Sequence, residues 1–123
     1  EDVYIYVKEH PSQFYIAKGA RGRSPLFYNT IRMIKNVKLI DHSLSSYDLI
    51  TESLFVATIT GTVAIEASIL GSKSIYFGNA WFAGMPNTVK WSDKLSFEEI
   101  TKLPKANPDD VYNFMIDLIL RHN

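Results

Sequence analysis

The stretch from Leu54 to Trp81 limits what this chain can fold into more than any other. It holds an apolar run, a Thr-Gly-Thr turn, an amphipathic segment and a second apolar run. Leu54–Ile59 is apolar on both faces and bounded by turn residues, which reads as a central parallel strand. From Val63 the apolar residues recur at helical spacing, and Gly71 stands where a helix C-cap belongs. Ser74–Phe77, closed by Gly78, reads as a further strand. A helix of about ten residues between two short apolar strands is a βαβ crossover, right-handed in nearly all proteins. The turn Thr60-Gly61-Thr62 aims backbone N–H groups above the sheet, where the start of a helix favours an anion. Glu66 is the one charge in that helix, one turn beyond Thr62 and on roughly the same face. An acid so placed suits a ribose, and it equally suits the helix dipole alone.

The rest of the composition sets outer bounds. With 123 residues, 46% of them hydrophobic, the chain is long enough for one domain with its own core. It has no long polar tract, so disorder is disfavoured. No apolar run approaches the roughly 18 residues of a membrane span, and the N-terminus has no signal pattern. The absence of cysteine removes disulfides and thiol chemistry, and is compatible with the cytoplasm without proving it. The chain starts without Met and enters a strand almost at once, so a piece of a longer protein is expected. Net charge is zero, but residues 1–40 hold seven Lys or Arg against three acids, and residues 41–123 hold six against ten. A neutral total argues against a general nucleic-acid binder. The local excess fits either a phosphate-bearing small molecule or a solvated basic face.

Taken in order, Val3–Val7 is a short strand that ends in Lys8-Glu9-His10-Pro11. Pro11 cannot continue a ladder, so the polar triplet lies at the strand's carboxyl end. Ser12–Arg23 is a loop with Lys18, Arg21 and Arg23 set among Gly19 and Gly22. It is able to wrap a phosphate or an acidic sugar, and equally suits a mobile surface loop. Ser24-Pro25 opens a helix with the stripe Phe27, Ile31 and Ile34. Val37–Ile40 is the second strand, followed by Asp41-His42-Ser43, and Ser45 with Asp48 caps a short helix through about Glu52. The segment Asn79–Ser92 reads as a loop. Its Trp81, Phe82, Met85 and Trp91 make it too apolar for a free linker, so it is expected to pack on the core, on a missing domain or on a partner. Ser96 and Glu99 form a capping box for a helix to about Leu103. Asn107-Pro108-Asp109-Asp110 starts the last helix, whose stripe is Val111, Phe114, Met115, Leu118 and Ile119.

These elements make an α/β chain: an open, mostly parallel sheet of four or more strands with helices on both faces. Four strand ends then converge, at His10, Asp41 to Ser43, Thr60 to Thr62 and Gly78 to Trp81. Ligands bind at that edge in this class. His10, between a Lys and a strand-ending Pro, is therefore expected to face the crevice. The sequence has no Walker loop, GxGxxG, metal-ligand spacing or defensible Ser/His/Asp order, which disfavours a P-loop NTPase or a dehydrogenase.

Three segments carry a resemblance: Lys-Glu-His-Pro at 8–11, Arg-Ser-x-x-Phe-Tyr at 23–28, and Thr-Ile-Thr-Gly-Thr-x-x-x-Glu-Ala at 58–67 with Tyr-Phe-Gly at 76–78. Together they resemble the bacterial capsule polysaccharide synthesis family, glycosyltransferases of the GT-B type. The match covers roughly residues 3–85. More loosely, a His-Pro followed by a Thr/Ser-Gly turn and a Glu is similar to bacterial sialyltransferases, teichoic-acid polymerases and sugar-nucleotide 2-epimerases. The resemblance implies that residues 1–123 are one open Rossmann-like domain, the donor-binding half of a GT-B fold, inactive without its N-terminal partner domain. By the same resemblance His10 contacts the donor phosphate and assists the departing nucleotide. Thr60, Gly61 and Thr62 hold the phosphate, and Glu66 accepts from ribose hydroxyls. Lys8 and Arg23 join the substrate-binding set, and Glu9 is either catalytic or paired with a nearby base. No cofactor or metal is implied, only a nucleotide-activated sugar as co-substrate, with the CMP-activated acid sugar Kdo as one donor and a glycan or glycolipid as acceptor. The implied setting is cytoplasmic, with peripheral association at the inner membrane face left open. Two other readings stand beside it. One is a 2-epimerase-like isomerase, although that family has consecutive acids where this chain has Glu66-Ala67. The other is a non-catalytic module that binds a partner through the 79–92 loop.

Overall fold

The structure, a computed structural model, describes residues 3–9 and 24–122. The chain divides into two compact units, Glu1–Ser45 and Ser46–Asn123. The first holds Ile5–Val7 (β1), Pro25–Arg32 (α1) and Val37–Leu39 (β2). β1 and β2 pair in parallel, with Ile5 opposite Val37 and Val7 opposite Leu39. Asn36 fixes where that pairing begins: its Nδ2 donates to Val3 O at 3.0 Å, and its carbonyl accepts from Ile5 N at 2.8 Å. α1 starts as expected. Ser24 is extended, its hydroxyl accepts from Phe27 N at 3.3 Å, and Pro25 follows where no N–H is needed. Phe27 and Ile31 are half-buried, whereas Ile34 lies beyond the helix end and is exposed.

The second unit holds Ser46–Glu52 (α2), Val56–Thr58 (β3), Val63–Ile69 (α3), Ser74–Tyr76 (β4), Thr88–Lys90 (β5), Phe97–Thr101 (α4) and Pro108–His122 (α5). Its sheet is parallel in the order β3-β4-β5. β4 is therefore the central strand, and all three of its side chains are buried. β3, expected to be central, is an edge among the described residues, and Leu54 and Ile59 that flank it are exposed. Apolarity on both faces marks burial, but it does not say which of two neighbouring strands gets it. α3 ends at Gly71, with φ at 77°: Ser72 N donates to Ala67 O at 2.8 Å and Gly71 N to Ser68 O at 3.1 Å, a Schellman closure. α3 packs on β3, β4 and α5. Ala64 and Ile65 of α3, Tyr76 of β4, and Val111 and Leu118 of α5 form the core together with Phe82 and Met85.

Those last two residues change the reading of 79–92. The segment contains a strand, β5, that pairs with β4 in parallel. A parallel neighbour needs a crossover, usually a helix. Here turns 77–87 make the crossing, and Phe82 and Met85, both almost fully buried, fill the place of a helix's apolar face. Pro86-Asn87 looks like loop chemistry, yet Asn87, with φ at 62°, starts the strand: its carbonyl accepts from Ser74 N at 2.9 Å and its Oδ1 from Ala106 N at 2.8 Å. Trp81 and Trp91 stay 53% and 40% exposed, so the expected docking surface is reduced to half its apolar set. Two further caps form as expected. Ser96 Oγ accepts from Glu99 N at 3.1 Å, and Asn107 Oδ1 from Asp109 N at 2.9 Å. On α5, Phe114 and Met115 pack on the core but Ile119 is exposed.

Phe82 meets Tyr76 edge-on, ring centroids 5.5 Å apart. Phe82→Ala is expected to cost about 3–5 kcal/mol in urea unfolding. Trp81→Ala is expected to cost less, about 1 kcal/mol, because half of its surface is exposed and only the ring contact with Phe82 is lost. Equal losses would contradict this division of the loop.

Candidate functional site

The site begins with how the chain leaves β3. Thr58, its last residue, turns its hydroxyl back to accept from Gly61 N at 3.0 Å. That bond folds Thr60-Gly61-Thr62 tightly against the strand end. A Cβ on Gly61 would stand 2.7 Å from Thr58 Oγ1, so the close approach requires glycine there. The same holds across the edge. A Cβ on Gly78, just past β4, would stand 2.8 Å from Thr60 Cγ2. Gly78 N and Phe77 N both donate to Ile59 O at 3.2 Å, which seals the two strand ends together. Two glycines thus bring the turn and the end of β4 into contact.

α3 then departs from Thr62. Thr62 already has helical angles, φ −63° and ψ −12°, and its hydroxyl makes no cap bond. Its carbonyl accepts from Ile65 N at 2.9 Å and Glu66 N at 3.1 Å. Among the described residues the N–H groups of Thr62 and Val63 meet no backbone carbonyl. The helix is only seven residues long, so the hydroxyls and free amides of the turn matter more than a macrodipole. Ala64, Ile65, Ala67 and Ser68 are buried, whereas Glu66 is exposed on the same face as Thr62. Thr60, Gly61, Thr62, Glu66 and Gly78 therefore lie close together at this end of the sheet.

The first unit has its own carboxyl edge. Lys8, half-buried after β1, donates from Nζ to Leu44 O at 2.6 Å, which ties the loop after β2 to the end of β1. Glu9 beside it is also half-buried. Asp41 Oδ1 accepts from both Ser43 N and Ser43 Oγ at 2.8 Å, and those bonds, the amide's first, hold its carboxyl below the usual carboxylate range. His42 Nδ1 lies 3.7 Å from the same oxygen and adds a smaller effect in that direction. His10 and Arg23 lie outside the described residues, as do Pro11, Lys18 and Arg21.

A family model described as capsule polysaccharide biosynthesis protein matches residues 1–122. The chain belongs to that family. No curated protein and no solved structure matches it. Membership gives this capsule-family chain a role in capsule synthesis, and so a setting of sugar substrates. Among the described residues no helix is long and apolar enough to cross a membrane.

The sequence reading missed Thr58, although a hydroxyl three residues ahead of a turn glycine is a local signal for such a bond. The close approach at Gly61 is testable by a mutant cycle. Gly61→Ala is expected to destabilise the chain by about 1–3 kcal/mol, as overpacking does. In a Thr58→Ala background, which removes the clashing oxygen, the same change is expected to cost less. Additive losses in thermal unfolding would show that the contact does not hold the turn.

Proposed function

We propose that this chain supplies the donor-nucleotide site of a GT-B glycosyltransferase, which transfers a sugar from a nucleotide-activated donor to a capsular or surface glycan. The observation that carries the reading is the turn Thr60-Gly61-Thr62 at the carboxyl end of β3, with Glu66 exposed one helical turn away. The transfer breaks the bond between the sugar's anomeric carbon and the donor's phosphate oxygen, and that phosphate gains charge as it leaves. Hydroxyl and amide donors already held in place stabilise the charge without having to reorganise. Thr60, Thr62 and the turn amides fill this role, and Glu66 accepts from the ribose hydroxyls.

The family resemblance adds the remaining roles. His10 donates a hydrogen bond, and then a proton, to the departing nucleotide. Arg23 and Lys8 contribute positive charge, and Glu9 orients the basic groups around it. The seven basic residues within 1–40 favour an acidic sugar such as Kdo carried on cytidine monophosphate. The base that activates the acceptor comes from another part of the enzyme, which works on cytoplasmic donor at the membrane's inner face. The isomerase reading is weaker, because Ala67 is fully buried and leaves no place for a second acid next to Glu66.

Thr62→Val and Glu66→Ala are each expected to weaken binding of cytidine monophosphate by about 1–3 kcal/mol without loss of fold, since each strands a partner group on the ligand. In the intact enzyme His10→Asn is expected to lower turnover by about 10²–10⁴-fold with a much smaller change in donor affinity. Calorimetry and initial rates on the same preparations read both effects. Unchanged affinity in both turn variants would refute the site, and near-normal turnover would make His10 structural.

A further inference from the structure

We infer that Phe77 and Trp91 form the platform on which the nucleobase of the donor nucleotide stacks; the inference rests on the donor-site reading of the neighbouring turn. The last paired row of the sheet is Thr58, Tyr76 and Lys90. One residue further on stand Ile59, Phe77 and Trp91, and the ladder continues into them: Phe77 N donates to Thr58 O at 3.1 Å and Trp91 N to Tyr76 O at 2.8 Å. Side chains alternate along a strand, so this row belongs to the face opposite Tyr76. Tyr76 is buried in the core, while Ile59, Phe77 and Trp91 are 71%, 49% and 40% exposed.

Three large apolar side chains left in water in one row, at the carboxyl edge of a parallel sheet, are not explained by the core. The two rings touch, with centroids 5.8 Å apart and planes inclined by 43°. That tilt leaves ring surface open to a third planar group. The residue after Phe77 is Gly78, whose close approach to Thr60 sets the platform against the phosphate turn. Strands lie about 4.8 Å apart, so the rings extend from about 5 to about 10 Å across the sheet from the end of β3. From a phosphate held at Thr60 and Gly61, the base of a nucleotide extends over this edge of the sheet onto the rings, past the contact of Gly78 with Thr60. An aromatic platform binds any base by its π-face, so it gives affinity rather than a choice of base.

The test compares cytidine monophosphate with ribose 5-phosphate, which lacks the base, by calorimetry on the intact protein. Trp91→Ala is expected to weaken nucleotide binding about tenfold and to leave ribose 5-phosphate binding unchanged. Trp91→Phe, which keeps a ring, is expected to retain most of the affinity. In a Trp81→Phe background, with the platform intact, nucleotide is expected to quench Trp91 fluorescence and ribose 5-phosphate is not. Equal nucleotide affinity in wild type and Trp91→Ala, or equal loss of both ligands, would overturn the stacking role while leaving the phosphate turn in place. Failure of the wild-type protein to bind either ligand would overturn the donor site and the platform together.

Discussion

The burial of β4 is the constraint from which the second unit follows. Ser74 and Tyr76 share the face covered by α3 and α5, Ile75 occupies the other, and all three are buried. Tyr76 anchors that face: its ring packs on Phe82, and its carbonyl accepts from Trp91 N. Ser74 reaches sideways, its hydroxyl 3.2 Å from Thr88 Oγ1 on β5. A strand held on both faces and both edges leaves its neighbours little freedom of register. β3 is fixed by it on one side, and what emerges from β3 is the turn.

The turn in turn depends on two absences of side chain. Gly61 lets Thr58 close the loop from below, and Gly78 lets Thr60 settle against the end of β4. Their consequence is positional: hydroxyls, amides and one carboxylate are gathered within a few residues and held on a rigid sheet edge. A site of this kind gains from donors that are already in place when charge develops on a leaving phosphate. The exposed rings of Phe77 and Trp91 border the same edge.

Much of this was legible because the signals are short-range. Ser24, Ser96 and Asn107 act through atoms two or three residues away, Gly71 through its own φ, and the period of α3 through its own neighbours. The family, too, was readable, from motifs within residues 3–85, and its model matches residues 1–122. What could not be read depends on distant partners. β3 and β4 have equally apolar sequences, and only the addition of β5 makes one of them central. β5 has three residues behind a Pro-Asn pair, too few for any period to show. Phe82 and Trp81 are adjacent and chemically alike, yet one fills the core and the other faces water. Ile119 fits the stripe of α5 but is exposed. His10 and Arg23 owe their assigned roles to the resemblance and to their places in the chain.

The central claim is that the carboxyl edge of the three-stranded sheet receives a nucleotide. Backbone amide chemical shifts recorded while cytidine monophosphate is added to the isotope-labelled intact protein test it most directly. The account predicts saturable shifts concentrated at Thr60, Gly61, Thr62, Glu66, Gly78 and Trp91, with α5 unaffected. No shifts at saturating nucleotide, or shifts confined to residues away from this edge, would contradict it.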